Sequence, residues 1–150
     1  MEAVDLVRPA VSRHALMTLE VAAQGLAEQL DLDDVTTNWF APGVYARQIH
    51  LPAGSLVLGK IHKHAHLNLL LVGLVEVASE FHTEMFAAPR IWVSEPGIKR
   101  AVRTVEDAMW VTIHPNPGDG QDMGEIEDEV IAPTYEQLDS FLAGQLEKLT

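Results

Sequence analysis

Apolar residues recur along this chain with two different periods. Between Arg13 and Leu30, Leu16, Leu19, Ala23, Leu26 and Leu30 follow one another at steps of three and four. That spacing lines one face of a helix, Ser12 is a suitable N-cap for it, and Gly25 weakens it locally. From Thr36 to His114 the texture changes to short β-branched and aromatic runs. The expected strands are Val44 to His50, Ser55 to Gly59, Lys60 to Val72, Leu74 to Ser79, Thr83 to Ala87, Arg90 to Val93, Arg100 to Thr104 and Ala108 to His114. Pro42-Gly43, Pro52 to Gly54, Gly73, Ala88-Pro89, Glu95 to Gly97 and Glu106-Asp107 separate them. Turn residues at intervals of roughly 8 to 12 mark a sandwich or barrel and argue against βαβ units. Beyond His114, Pro115 to Gln121 reads as a linker into the acidic stretch Glu125 to Glu129. A last helix is expected from Tyr135 to Leu149, since Thr134 with Gln137 forms a capping-box pattern and Leu138, Phe141, Leu142, Leu146 and Leu149 share a face.

Together these elements predict an all-β core, a sandwich or barrel over residues 36–115, within a single domain. A helical segment occupies 1–35, and an acidic linker with a C-terminal helix occupies 116–150. At 150 residues and 47% hydrophobic content the chain buries one core comfortably. No run approaches the ~18 apolar residues of a membrane span, and the start lacks the features of a signal peptide, so a soluble, cytoplasmic protein is expected. The net charge of −12 argues against nucleic acid and anionic lipid as partners. It is unevenly spread: residues 60–103 carry six of the ten Lys and Arg, whereas residues 104–150 carry eleven of the 22 acids.

There is no cysteine, so a metal would have to sit on histidine, carboxylate or amide groups. The run His62-Lys-His64-Ala-His66-Leu-Asn68 provides such groups. On an unbroken strand alternate side chains share a face, which would align His62, His64, His66 and Asn68. Neighbours at i and i+2 lie ~6 to 7 Å apart and can close on one ion, while i and i+4 lie ~13 Å apart and cannot without a bulge. The expected pair therefore includes His64, with either His62 or His66. Asn68 and His114 are the nearest further donors, and a hairpin at Glu106-Asp107 would set His114 opposite Lys99. The alternative for this strand is a solvent-facing row, or an interior histidine stripe that binds an anion.

These residues resemble the cupin superfamily. Gly59, His62-Lys-His64, Asn68 and Gly73 follow its first motif, and Ser94-Glu-Pro96-Gly97-Ile-Lys-Arg100 follows its second, with Asn68 in the glutamate slot and Arg100 in the histidine slot. The likeness covers about residues 43 to 115. The run Gly59 to Asn68, with Ala88-Pro89, Ser94 to Gly97, Lys99 to Ala101, Glu106-Asp107 and Trp110 to Pro115, also looks like small cupin-like proteins of bacteriophage and prophage genomes. The resemblance implies a cupin-type double-sheet jelly-roll barrel, here with flanking N-terminal and C-terminal helices, and a divalent transition metal (Zn, Fe, Mn or Ni), here on His62, His64, His66 and His114. The substitution of Asn68 and Arg100 breaks the family's usual ligand set, and Arg100 would repel a cation if it pointed inward.

Arg100, with Lys99 and Arg103, could instead hold the carboxylate or phosphate of a small anionic ligand. The competing reading for these three is a solvated strand face pairing with Glu106 and Asp107. His82, between Glu80 and Glu84, reads as an exposed turn residue, and His14 and His50 carry no partner pattern. Trp39, Trp92 and Trp110 with Phe40, Phe81 and Phe86 read as packing. Two functions follow: a metal-binding cupin that binds or transforms a small, anionic molecule, or a non-catalytic phage-encoded accessory or virion protein using the barrel as an oligomerising scaffold. A homo-oligomer is expected in either case, with a viral or host protein partner in the second.

Overall fold

A computed structural model describes residues 13, 15, 16, 31–79 and 83–149. Eleven strands, β1 Thr36–Ala41, β2 Gly43–Leu51, β3 Leu56–Leu58, β4 Ile61–His62, β5 His66–Val72, β6 Leu74–Ser79, β7 Thr83–Ala87, β8 Arg90–Ser94, β9 Arg100–Thr104, β10 Ala108–Asn116 and β11 Ile131–Ala132, carry the fold. Helices α1 Met123–Val130 and α2 Tyr135–Lys148 flank them. All pairings among the described residues are antiparallel. One sheet runs β1-β2-β10-β5-β8, a second runs β3-β9-β6-β7, and β4 pairs with β11.

The two larger sheets pack face to face because each presents one apolar side. Leu70 on β5 and Trp110 on β10 meet Val75 and Val77 on β6, Phe86 on β7 and Val102 on β9. β6 shows the period most plainly: Val75, Val77 and Ser79 are buried while Leu74, Glu76 and Ala78 are partly exposed. Gly73, at φ +100°, lets β5 turn into β6, and a Cβ there would lie 2.4 Å from the Asp107 carbonyl oxygen. No L side chain fits that approach.

The C-terminal segment belongs to the barrel. Asp122 caps α1 by accepting from the Glu125 amide at 2.9 Å, and Ile126 and Val130 pack on Tyr45. Thr134 caps α2 by accepting from the Gln137 amide at 3.1 Å, as the capping-box pattern predicts. Leu138 is buried against Ile61 and Ala132, but Leu146 and Leu149 are exposed, so only the first half of the expected apolar face is used.

Four expectations are corrected. The acidic stretch Glu125 to Glu129 is helical, because its N-cap and two buried apolar residues outweigh its charge. Thr36–Ala41 is an edge strand whose largely exposed pattern hid it. The strand from Lys60 to Val72 breaks at residues 63–65, where the Lys63 amide donates to the Val130 carbonyl at 2.8 Å. Finally, β9 and β10 do not form a hairpin: β9 lies in one sheet and β10 in the other, and His114 faces Tyr45 on β2 rather than Lys99. Arg13, Ala15 and Leu16 are helical. The rest of the helix expected to Leu30, together with His14, Phe81 and His82, lies outside the described residues. No described helix is long and apolar enough to cross a membrane.

Candidate functional site

Residues directly opposite one another in a sheet point to the same side of the pleat. Thr112 faces both Arg47 on β2 and Asn68 on β5, so these three side chains share the inner side of the five-stranded sheet. With Lys60, His62, His66, Arg100 and Trp110 they line a cavity of about 120 Å³, whose apolar wall includes Ile49, Leu58, Ile98 and Val102. Arg47, Lys60 and Arg100 are its cations, and no carboxylate of the described residues lines it.

Three of the four candidate histidines come together. The ring centroids of His62 and His66 are 4.2 Å apart, those of His66 and His114 4.8 Å, and those of His62 and His114 5.2 Å. His64 does not join them: it is exposed and sits edge-on to Phe141 of α2 at 5.4 Å. The pair expected from an unbroken strand is therefore replaced by an i, i+4 pair. The break at residues 63–65 turns His64 out and folds His66 back over His62, with the Lys63 ammonium donating to the Asp128 carbonyl at 2.6 Å.

Burial sets the charge state of this cluster. It pushes His66 and His114 down to about 4 and His62 to about 2, the last helped by the neighbouring rings and by Arg100 and Arg47. All three are neutral imidazoles at pH 7. His66 Nδ1 faces the His64 carbonyl at 3.4 Å and so carries the proton. Nε2 of that ring is buried without a hydrogen-bond partner.

The two residues that depart from the cupin motifs are joined to each other. Wholly buried Ser94 accepts at Oγ from Asn68 Nδ2 at 2.6 Å and from the Arg100 guanidinium at 2.5 Å. Asn68 Oδ1 accepts from the Trp110 indole at 3.0 Å. Arg100 points into the barrel, burial lowers it to about 10, and it remains a cation at neutral pH. Its hydrogen bond is to a neutral hydroxyl, and no carboxylate of the described residues pairs with it. Lys99 is also buried, whereas Arg103 reaches out to Glu76 at 3.5 Å; the three basic residues form no single surface.

Sequence reasoning missed Arg47, Ser94, Lys60 and Thr112. Arg47 had a signal, since it alternates with Tyr45 and Ile49 on one side of β2. Ser94 had none, because its partners come from two other strands.

The donor geometry of the cluster bears on whether it could hold a metal. His114 stacks on His62 and His66, at interplanar angles of 14° and 27°, and His62 and His66 are tilted by 36°. No group of three or more His, Asp or Glu among the described residues is arranged to hold an ion. The amide oxygen of Asn68 is already engaged, and Arg47 and Arg100 oppose a further cation. As arranged, the residues do not fit a metal centre.

No protein-family model and no curated protein sequence matches the chain. Solved structures do. A cupin 2 domain-containing protein from Halorhodospira halophila is similar at 14% identity over 80% of each chain, with a TM-score of 0.50. KdgF from Halomonas sp. is similar at 13% identity over 63% of this chain and 88% of its own, with a TM-score of 0.48. A cupin-2 domain protein from Shewanella frigidimarina is similar at 9% identity over 65% of this chain and 92% of its own, with a TM-score of 0.46. At these identities the likeness is one of fold, and the fold is the cupin-type jelly roll.

Proposed function

We propose that this cupin-fold protein is a receptor for a small organic anion, held inside the barrel with its charged group on Arg100 and Arg47 and its apolar part against Ile49, Leu58 and Ile98. The observation that carries this reading is the partly buried guanidinium of Arg100, which lines the cavity and has a hydroxyl partner but no counter-ion among the described residues. A cation partly withdrawn from water is costly to leave unpaired, and a bound carboxylate or phosphate offsets that cost with a bidentate pair. The neutral histidines give the anion a polar wall without a competing negative charge. At about 4 or below they are weak bases at neutral pH, which favours binding over proton-transfer chemistry.

Isothermal titration against a panel of small mono- and dicarboxylates and phosphate esters tests the proposal. At least one class should bind to the wild-type protein and fail to bind to Arg100→Met. No binding across the panel, or binding indifferent to Arg100, would overturn it. Metal binding is the second reading, and the unpartnered Nε2 of His66 favours it. It requires elemental analysis of untagged protein to find about one equivalent of Zn, Fe, Mn or Ni that disappears in His66→Ala and survives in His64→Ala.

A further inference from the structure

Three cations line the cavity, and they differ in what already balances them. Lys60, exposed at the rim between β3 and β4, is ion-paired with Glu127 of α1. Arg47 and Arg100 have no carboxylate partner among the described residues. These two enter from different sheets, Arg47 from β2 and Arg100 from β9, and both act on the His62 ring that lines the same space. Glu127 is within electrostatic reach of the Arg47 side as well: burial raises the Tyr45 hydroxyl, Arg47 lowers it and Glu127 raises it again. The neutral histidines add no charge. The cavity thus presents two positive charges that the described residues leave unbalanced, rather than three.

We propose that Glu127 fixes the charge of the ligand: by neutralising Lys60 it leaves Arg47 and Arg100 to be matched, and the cavity selects a dianion, either a short dicarboxylate or a phosphate monoester. This selectivity rests on the anion site proposed above and adds the charge of its ligand and the residue that sets it. A monoanion would leave one of the two guanidiniums unpaired in a partly desolvated place, and the second charge-assisted pair is what a dianion gains over it. A third negative charge would have to compete with Glu127 for Lys60. Glu127 makes no ligand contact of its own; it acts on specificity through Lys60.

Isothermal titration of the full chain with two pairs of ligands that differ by one charge at nearly constant size tests this: succinate against monomethyl succinate, and phenyl phosphate against methyl phenyl phosphate. In slightly alkaline buffer, where both dianions are fully ionised, the dianion of at least one pair should bind about tenfold or more tightly than its monoanion. The pair that binds tells a dicarboxylate site from a phosphate site. A cycle of variants then reads the rim. Glu127→Gln frees Lys60 and should tighten the dianion about threefold, whereas Lys60→Met strands the Glu127 carboxylate and should weaken it about threefold. The double variant should return to the wild-type affinity. Glu125→Gln makes the same charge change on the same helix, away from Lys60, and should leave the affinity unchanged. Equal affinity for both members of each pair, a double variant that keeps the affinity of either single, or the same gain from Glu125→Gln as from Glu127→Gln would overturn the inference. Monoanion binding as tight as dianion binding, and lost in Arg100→Met, would do so while leaving the anion site itself standing; no binding of any of the four ligands would remove both.

Discussion

Replacing Ser94 by alanine removes one oxygen on which two donors depend. Ser94 is 0% and Asn68 1% exposed, so the Asn68 amide cannot turn to water once its 2.6 Å partner is gone. A buried donor left unsatisfied costs about 1 to 3 kcal/mol. Arg100 borders the cavity, where water can replace the hydroxyl, and its share is smaller. Alanine also spares the serine its own desolvation, which returns part of the loss. The balance is a destabilisation of about 2 kcal/mol. Urea unfolding monitored by tryptophan fluorescence should show the midpoint fall with an unchanged slope. A double-mutant cycle then isolates the cause: Ser94→Ala combined with Asn68→Leu should cost less than the two singles together by about 1 kcal/mol, since the stranded donor is absent. A Ser94→Ala loss below about 0.5 kcal/mol, or strict additivity in the cycle, would show that this network does not hold the barrel interior.

Acidification should destabilise the fold through the histidines. His66 and His114 are held near 4, while in the unfolded chain they titrate near 6.5. The unfolded state therefore binds more protons as pH falls through 6.5, and stability drops by about 2 kcal/mol per ring by pH 5. Urea titrations at pH 7, 6 and 5 should show this trend, and a flat profile refutes the burial of neutral rings. Gly73→Ala should unfold the protein or cost about 3 kcal/mol or more by thermal denaturation, because its Cβ would collide with the Asp107 carbonyl; a loss under about 1 kcal/mol would mean that the β5–β6 turn relaxes easily. Arg100→Met should raise the stability of the ligand-free protein by about 1 kcal/mol while abolishing the anion response, since it removes a partly buried charge with no carboxylate partner among the described residues. Lower stability in calorimetry would mean that Arg100 holds the fold rather than a ligand.

The barrel was legible because its information is local. Val75 and Val77 sit either side of Glu76 in a β-branched run, the turn residues punctuate the runs, and Thr134 announces α2 three residues before its partner. The site was legible only in part. Lys63, His64 and Ala65 offer no local reason to leave a strand; the reason is the Val130 carbonyl, which arrives from the far end of the sequence. Strand alternation therefore selected the correct side for Asn68 and the wrong one for His64. Arg100 and Asn68 looked like losses from a motif, and only the register of β5 against β8 and the path of β9 show that they share Ser94. His114 was placed near the site, but through a hairpin that the crossing between sheets rules out.

The pairing of β4 with β11 has a consequence for the order in which the molecule can assemble. His62 lies on a strand whose neighbour is Ile131, and Gly97, whose amide donates to the His62 carbonyl, rests against Leu138. During synthesis, residues 36–116 leave the ribosome before the segment that bends the chain at Lys63 exists. The nascent barrel can close its two sheets early, but it acquires its histidine cluster only when the C-terminal segment returns across it. A chain cut in the apparent linker after Asn116 would thus lose the interior that the earlier residues encode, even if its sheets still formed.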